Sequence, residues 1–230
     1  MKKLLLTAAL SSAFAAASFG QGYIIFGNGT STKVSVNAAV NGTTYTAIGT
    51  TANSYYFALF YSASATSVLG SSAAVVGGST ADTSSAFVTS DSNWTLDPGV
   101  LGVNGTRAGF MGDASGASET AVPLASATTG EFVVLGWSAN IGSSEANVLS
   151  FLNGTDVQNS AAVLSGWVGE SAVGDQVLSP GTPSPVNSIF GAAPQVPGFA
   201  LGEVVIPEPS TIALGVMGAA SLLALRRKKA

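Results

Sequence analysis

The sequence predicts an all-β fold, and three observations point to it. Short runs of β-favouring residues recur along the chain, separated by Gly, Asn, Asp and Ser. Asn41-Gly42 lies between two such runs, which is the strongest short-range signal of a β-hairpin. Away from the chain ends, no segment shows a sustained helical period. We therefore expect a single antiparallel β-sandwich or jelly roll, flanked by an N-terminal signal helix and a C-terminal single transmembrane helix.

Residues 1–20 have the organisation of a secretory signal peptide. Lys2 and Lys3 precede an apolar stretch, and small residues follow it. Cleavage after Ala17 or after Gly20 satisfies the requirement for small residues, and we expect it between Gly20 and Gln21. The alternative is an uncleaved N-terminal anchor, which the shortness of the apolar run disfavours.

Residues 21–206 are predicted to be one domain of short strands. Residues 54–62 carry apolar side chains on both faces, which predicts a central strand buried on two sides. The other predicted strands are residues 23–26, 33–40, 43–48, 67–76, 86–89, 107–111, 131–138, 148–152, 162–168 and 199–206. Seven of the nine prolines lie between Pro180 and Pro209, so residues 179–198 are predicted to be an extended loop or linker.

Residues 207–230 form a tail that begins with a rigid, extended motif. Pro207 and Pro209 each restrict the residue before them, so Glu208 is held extended between two rings. Such a segment suits recognition in the groove of a protease. Ser210 or Thr211 can then cap the helix that follows.

A short apolar helix and a basic cluster complete the tail. The helix is predicted over residues 210–225, and the 14 residues of its apolar run, 212–225, span about 21 Å, whereas a hydrocarbon core is about 30 Å thick. It is therefore marginal as a permanent membrane anchor. The positive-inside rule keeps the basic cluster in the cytoplasm and places the bulk of the chain outside it. The cluster comprises residues 226–229, which are Arg226, Arg227, Lys228 and Lys229.

Composition narrows the chemistry of the domain between these ends. Lys33 and Arg107 are its only basic residues, which argues against nucleic acid as a partner, because phosphate binding needs clustered cations. The chain has no Cys and no His, which excludes disulfides, thiol nucleophiles and a Ser-His-Asp triad. We expect no cofactor and no metal. Carboxylate-only catalysis and calcium bound by oxygen ligands stay open.

The order of parts in the tail resembles the PEP-CTERM sorting signal of Gram-negative bacteria. The resemblance rests on Pro207-Glu208-Pro209, Ser210, the apolar run and the terminal basic cluster. It implies that a membrane protease, an exosortase, recognises the signal and removes the helix. The protein would then be held briefly in the inner membrane and would end at the cell surface or outside the cell. Residues 21–28 and 56–61 also resemble parts of short secreted PEP-CTERM proteins, and this brings no activity with it.

Three groups of residues are candidates for binding or chemistry. Five Asn-x-Thr sequons, at Asn28, Asn41, Asn93, Asn104 and Asn153, suit glycosylation, but Asn followed by Gly favours turns. Trp94, Trp137 and Trp167 suit stacking on sugars or packing in a core. Carboxylates are candidates for calcium (Asp91, Asp97, Asp113, Glu119) or for a glycosidase pair (Asp156, Glu170, Asp175), although turn and loop roles fit the first set better.

These observations predict an exported, exosortase-processed protein of the cell surface or extracellular matrix. We expect a structural role in association with exopolysaccharide, with no catalytic residue. The alternative is a carbohydrate-binding or adhesion module that uses exposed aromatic side chains. A carboxylate-dependent hydrolase is a third hypothesis, and it requires two carboxylates about 5–10 Å apart in a cleft.

Overall fold

The computed structural model describes residues 20–37, 44–68, 75–76, 87–153, 165–182 and 184–205. This part of the chain contains thirteen strands and one α-helix, so the prediction of a mostly β chain is confirmed. The strands are β1 (Gln21–Ile25), β2 (Ser35–Asn37), β3 (Tyr45–Ala47), β4 (Tyr55–Ser62), β5 (Val75–Val76), β6 (Thr95–Asn104), β7 (Met111–Asp113), β8 (Thr120–Ala125), β9 (Thr129–Ser138), β10 (Ser165–Glu170), β11 (Gly174–Val177), β12 (Asn187–Ser188) and β13 (Ala200–Val205). The helix is α1 (Glu145–Leu152).

The strands form two sheets of unequal size. The larger has the order β3-β2-β13-β10-β9-β4-β6-β7, with β11 paired to β9 and β5 to β10. The smaller has the order β12-β1-β8. The prediction of a purely antiparallel fold is wrong, because β13 runs parallel to β2 and β1 runs parallel to β12. Each parallel partner is distant in sequence, so no turn signal between neighbouring runs could predict it.

Two hydrophobic cores lie on opposite faces of the large sheet. The first includes Phe57 and Leu59 of β4 with Ile24 of β1 and Val122 of β8, so the small sheet covers this face. The second includes Ala58 and Phe60 of β4, and it is covered by α1 and by residues Phe87 and Val88, among others. Strand β4 therefore has apolar neighbours on both sides, which confirms the prediction made for residues 54–62.

Helix α1 replaces the strand predicted at residues 148–152, and that prediction is wrong. Ser144 caps the helix, and Asn147 completes a capping box with it. Val148, Phe151 and Leu152 are buried at the i, i+3 and i+4 spacing of one helical face. In a run of eight residues the apolar pattern alone does not separate helix from strand, and the cap decides between them.

Two other predicted strands are turns in the structure. Val88–Ser90 is a 3-10 helix, closed by the Asp91 N–H that donates to the Val88 carbonyl oxygen. Residues 107–110 form a turn in which the Phe110 N–H donates to the Arg107 carbonyl oxygen, and strand β7 begins only at Met111. In both places a local hydrogen bond outweighs the β propensity of the side chains.

Strands β6 and β8 were not predicted, because each contains a proline. Phe60 of β4 pairs with Leu96 of β6, whereas Ala58 of β4 pairs with Leu101, so residues 97–100 form a bulge in β6. Pro98 lies in this bulge, where no ladder hydrogen bond is required. Strand β8 is an edge strand of the small sheet, and its register shifts near Pro123. Both prolines occupy positions that tolerate a missing N–H donor.

The hairpin predicted around Asn41-Gly42 is confirmed in its strands. β2 and β3 pair antiparallel, with Asn37 opposite Tyr45. The turn itself lies outside the described residues.

The proline-rich segment 179–198 packs on the domain, since Ile189 and Val196 are wholly buried in the first core.

Candidate functional site

The described residues begin and end close to the predicted boundaries of the domain, at Gly20 and Val205. Gly20 and Gln21, the predicted cleavage position, are exposed, and Gln21 is the first residue of β1. At the other boundary, Val205 is the last residue of β13, and 43% of its surface is exposed. The sorting residues Pro207, Glu208, Pro209 and Ser210 and the basic cluster 226–229 lie outside the described residues. The order of the strands therefore leaves the C-terminal signal directly after a central strand.

Across the residues that the structure describes, no helix is long and apolar enough to cross a membrane. The predicted signal helix and the transmembrane helix at residues 210–225 both fall in parts of the chain that the structure does not describe. They stay predictions from the sequence.

The tryptophan side chains lie on two different faces of the large sheet. Trp94 and Trp137 belong to the second core and are 6% and 0% exposed. Their indole N–H groups donate to the carbonyl oxygens of Ser67 (3.1 Å) and Gly142 (2.8 Å). Trp167 is half-buried and packs against the first core. Burial leaves Trp94 and Trp137 with no free ring face for a sugar, and the three rings do not share a surface.

Two of the sequon asparagines hold turns together. The Asn28 side chain donates to the carbonyl oxygens of Thr32 (2.8 Å) and Gly109 (2.9 Å) and accepts from the Met111 N–H (2.8 Å). Asn104 is fully buried and accepts from the Tyr55 N–H at 2.8 Å. These amide groups have structural partners, which favours the turn interpretation over glycosylation at both positions.

The four carboxyl side chains that were candidates for calcium binding also have local hydrogen-bond partners. Asp113 accepts from the Ser115 N–H at 2.8 Å and from the Thr120 hydroxyl at 3.0 Å. Glu119 accepts from the Thr182 hydroxyl at 2.7 Å. Asp91 accepts from Asn93, and Asp97 accepts from the Gly99 N–H at 3.1 Å. Within the described ranges, no group of three or more acidic, His or Cys side chains could hold a metal ion.

Glu170 is the most strongly perturbed carboxyl group of the described chain. It lies at the end of β10, is 0% exposed, and accepts a 2.7 Å hydrogen bond from the Val88 N–H. Its Oε1 atom is closed to solvent and has no hydrogen-bond partner within the described residues. Burial raises its pKa to about 8; the Val88 N–H opposes this rise, and the charge of Asp91 adds to it. Among the residues that the structure describes, this carboxyl group therefore has no contact with solvent.

A cleft of about 350 Å³ brings two other carboxyl groups together. It lies between the β6 bulge and the start of α1, and Asp97, Glu145 and Trp137 are among its lining residues. Burial raises the pKa of both carboxyl groups, and the Gly99 N–H partly offsets this for Asp97. The Oδ2 atom of Asp97 is closed to solvent and makes no hydrogen bond within the described part of the chain. Of the residues proposed for a glycosidase pair, Asp156 lies outside the described residues and Asp175 lies on β11.

The two basic residues of the domain meet at one aromatic ring. The Arg107 guanidinium carbon lies 4.0 Å from the centre of the Phe110 ring, and the Lys33 Nζ lies 5.8 Å from it. Both distances are within the range of cation–π attraction. Both cationic side chains are exposed, and Phe110 is half-buried. The sequence shows that these are the only two cations of residues 21–206 but not that they converge, because 74 positions separate them.

An open groove of about 660 Å³ adjoins this pair of cations. Lys33 lines it, together with Tyr45 of the edge strand β3, and Thr30, Ser31 and Ser35 contribute hydroxyl groups. Tyr45 is 52% exposed, the most exposed of the large hydrophobic side chains in the described residues. Neither the groove nor Tyr45 was predicted as a site, and Trp94, Trp137 and Trp167 were the aromatic candidates for sugar stacking.

The described residues form a β domain whose last strand, β13, ends at Val205, where the C-terminal tail begins. Residues 205–228 match the PEP-CTERM protein-sorting motif, which confirms the resemblance described above. The motif implies export and processing by an exosortase. Comparisons with curated proteins and with solved structures gave no significant match. The motif covers about a tenth of the chain, so it defines how the protein is handled and leaves the role of the β domain open.

Proposed function

We propose that the protein is an exosortase substrate whose β-sandwich domain serves as a structural component of the cell surface or extracellular matrix. The observation that carries this proposal is the PEP-CTERM match at residues 205–228, which begins at the last residue of strand β13. A sorting signal at that position can be removed without taking a strand from the sheet.

The tail acts in this proposal as a temporary membrane retention device. The basic cluster 226–229 holds the end of the chain in the cytoplasm, and the short helix keeps the folded domain beside the membrane-bound protease. The extended Pro207-Glu208-Pro209 segment is the recognition element. Cleavage releases the domain and removes four of the positive charges of the chain.

A non-catalytic role is supported by the chemistry of the side chains. The chain has no His, which is the commonest general base. It also has no Cys, the side chain that supplies a thiol nucleophile. Glu170 is fully enclosed, and the Oδ2 atom of Asp97 is closed to solvent. Turnover of a glycan, ester or peptide by the purified protein, lost on Asp97→Asn or Glu145→Gln, would overturn this part of the proposal.

The sorting part is tested by substituting both prolines of the motif. The full chain, with Pro207→Ala and Pro209→Ala, is expressed in exosortase-bearing cells, and the intact mass of the membrane-bound and released protein is measured. Without the rigid extended segment we expect an unprocessed precursor that stays in the membrane fraction. The matched control is Pro185→Ala, at an exposed proline of the neighbouring loop, which should be processed normally. Release of the double variant with the native mass would contradict the proposal.

A further inference from the structure

The two cations of residues 21–206 lie together although the domain is acidic overall. Lys33 and Arg107 both contact the Phe110 ring, at 5.8 Å and 4.0 Å. The structure records no ion pair for either head group within the described residues. Two like charges held close to each other repel, and this repulsion is usually offset by a neighbouring carboxylate. In a domain that carries eleven acidic residues, this arrangement leaves two positive charges directed at solvent.

Hydrogen bonds join the two backbone segments that carry the cations. The Val34 N–H donates to the Gly109 carbonyl oxygen at 2.9 Å, which joins the segment of Lys33 to the Arg107–Phe110 turn. Asn28 donates to the same carbonyl oxygen at 2.9 Å. The aliphatic stem of Lys33 lies over Gly109, where the φ of +81° and the close approach both require glycine. The backbone segments that carry Lys33 and Arg107 are therefore held side by side before any ligand arrives, which lowers the entropic cost of binding.

The groove next to Lys33 supplies a second kind of contact. Its volume is about 660 Å³, and Tyr45, the first residue of the edge strand β3, is part of its lining. Tyr45 presents a half-exposed ring there, and the hydroxyl groups of Thr30, Ser31 and Ser35 line the same groove. An aromatic face with hydroxyl groups around it suits a ring that has an apolar face and a polar edge.

We propose that Lys33, Tyr45, Arg107 and Phe110, here called the basic surface, bind an acidic polysaccharide. Carboxylate groups of the polymer pair with Lys33 and with the free edge of the Arg107 guanidinium, which Phe110 stacks from behind. A sugar ring packs on Tyr45, and its hydroxyl groups bond with the Ser and Thr side chains of the groove. Nucleic acid is a poorer fit, because its binding needs more phosphate contacts than two cations provide.

This inference goes beyond the sorting proposal, and it depends on that proposal only for the encounter with a polymer outside the cell. The exported protein, purified from its producing cells, is titrated by calorimetry with polygalacturonate, with neutral dextran and with polyglutamate. We expect polygalacturonate to bind, dextran not to bind, and polyglutamate to bind more weakly than polygalacturonate. Raising NaCl from about 50 mM to about 500 mM should weaken the binding, because exposed charges are screened.

Single variants assign the contacts. Arg107→Gln, Lys33→Gln and Tyr45→Ser should each weaken polygalacturonate binding about tenfold, the loss expected for one charge-assisted or stacking contact. Thr129→Asp is the matched control for net charge, since it makes the protein more acidic by the same one charge at an exposed position on a different strand. It should leave the affinity within about twofold of the native value. An unchanged melting temperature shows that the variants fold.

Three results would overturn the inference. One is equal binding of dextran and polygalacturonate, which removes the role of charge. Another is native affinity in both Lys33→Gln and Arg107→Gln, which places the contact elsewhere. The third is equal affinity for polyglutamate and polygalacturonate together with no effect of Tyr45→Ser, which removes the sugar contact. Each is measured on purified protein, so a failure of sorting and a failure of binding are separate results.

Discussion

Glu170 shows how a single carboxyl group can set the pH response of this fold. It lies at the end of β10, its side chain is fully buried, and the N–H of Val88 is its hydrogen-bond donor. Burial raises its pKa from an ordinary value of 4.5 to about 8. The folded protein therefore keeps this carboxyl group protonated over a pH range in which the unfolded chain has lost the proton.

The sign of the effect on stability follows from this difference. The contribution of the protonated Glu170 is fully present below about pH 4.5, and it is lost as the pH rises towards and through about 8. The free energy of unfolding falls by at most about 1.4 kcal/mol per pH unit over that interval. Glu170→Gln removes the ionisation and should flatten the dependence. Urea unfolding between about pH 5 and about pH 9 measures it.

The matched control is Glu203→Gln on the neighbouring strand β13. Glu203 is half-buried and lies opposite Trp167 in the sheet. It should keep the native pH dependence, because its carboxyl group is not enclosed in the same way. Parallel pH profiles for the native protein and Glu170→Gln would show that Glu170 does not carry the effect.

The structure shows which contacts the candidate asparagines and tryptophans make. Asn28 and Asn104 were predicted to serve turns, and their side chains bond to backbone groups of other loops. Trp94 and Trp137 were considered for sugar stacking, and both are core residues. Composition cannot separate these roles for an aromatic side chain, because burial depends on which strands pair.

Among the elements, α1 depends on its first turn. Ser144 is the N-cap: its side chain accepts from the Asn147 N–H, and the Asn147 side chain accepts from the Ser144 N–H. Glu145 adds a negative charge to the first turn, which the helix dipole favours. The helix then buries Val148, Phe151 and Leu152 in the second core. A helix of eight residues has little stability of its own, so the cap and the packing must act together.

Ser144→Ala should therefore destabilise the domain by about 1 kcal/mol, the usual cost of a lost cap. Urea unfolding followed by tryptophan fluorescence measures the change, since Trp137 lies in the same core. Ser143→Ala, at the exposed neighbouring serine, is the control and should have a much smaller effect. Equal effects of the two substitutions would show that the cap hydrogen bond does not stabilise the helix.

The same helix explains where prediction from the sequence stopped. Residues 54–62 were identified as a central strand because a run of aromatic and aliphatic side chains on both faces favours a strand buried on two sides, and β4 follows that prediction. Residues 148–152 were too few for a period to be recognised, and a strand was predicted where the helix lies. Strand β6 was missed because Pro98 and Gly99 interrupt it, and the bulge that accommodates them exists only once β4 is beside it.

For the whole molecule, strand β13 couples the fold to the sorting signal. It lies between β2 and β10 in the large sheet, with Leu201 in the first core and Val204 in the second. Both side chains are 0% exposed. The PEP-CTERM match begins at Val205, the last residue of the strand. Removal of the signal thus leaves the strand in place, whereas a cut a few residues earlier would not.

Two truncated chains test this division. Residues 21–205 should unfold cooperatively on heating, because they include every strand that the structure describes. Residues 21–198 lack β13, and burial of its two core side chains contributes about 1.5–3 kcal/mol each, a large share of the usual 5–15 kcal/mol. We expect the shorter chain to show no cooperative unfolding by circular dichroism. A cooperative transition in residues 21–198 would show that the fold is complete without β13.

The sequence by itself determined how the protein is handled and which class of fold it adopts. The sorting motif is a short, contiguous pattern, and the β-favouring apolar runs of β4 and β9 are local, so both can be identified without knowing which residues pack together. Only the tertiary structure decided which residues meet. It enclosed Glu170, buried Trp94 and Trp137, and joined Lys33 to Arg107 over Phe110. These contacts depend on strand order and register, which arise from pairings between distant segments and leave no local signal in the chain.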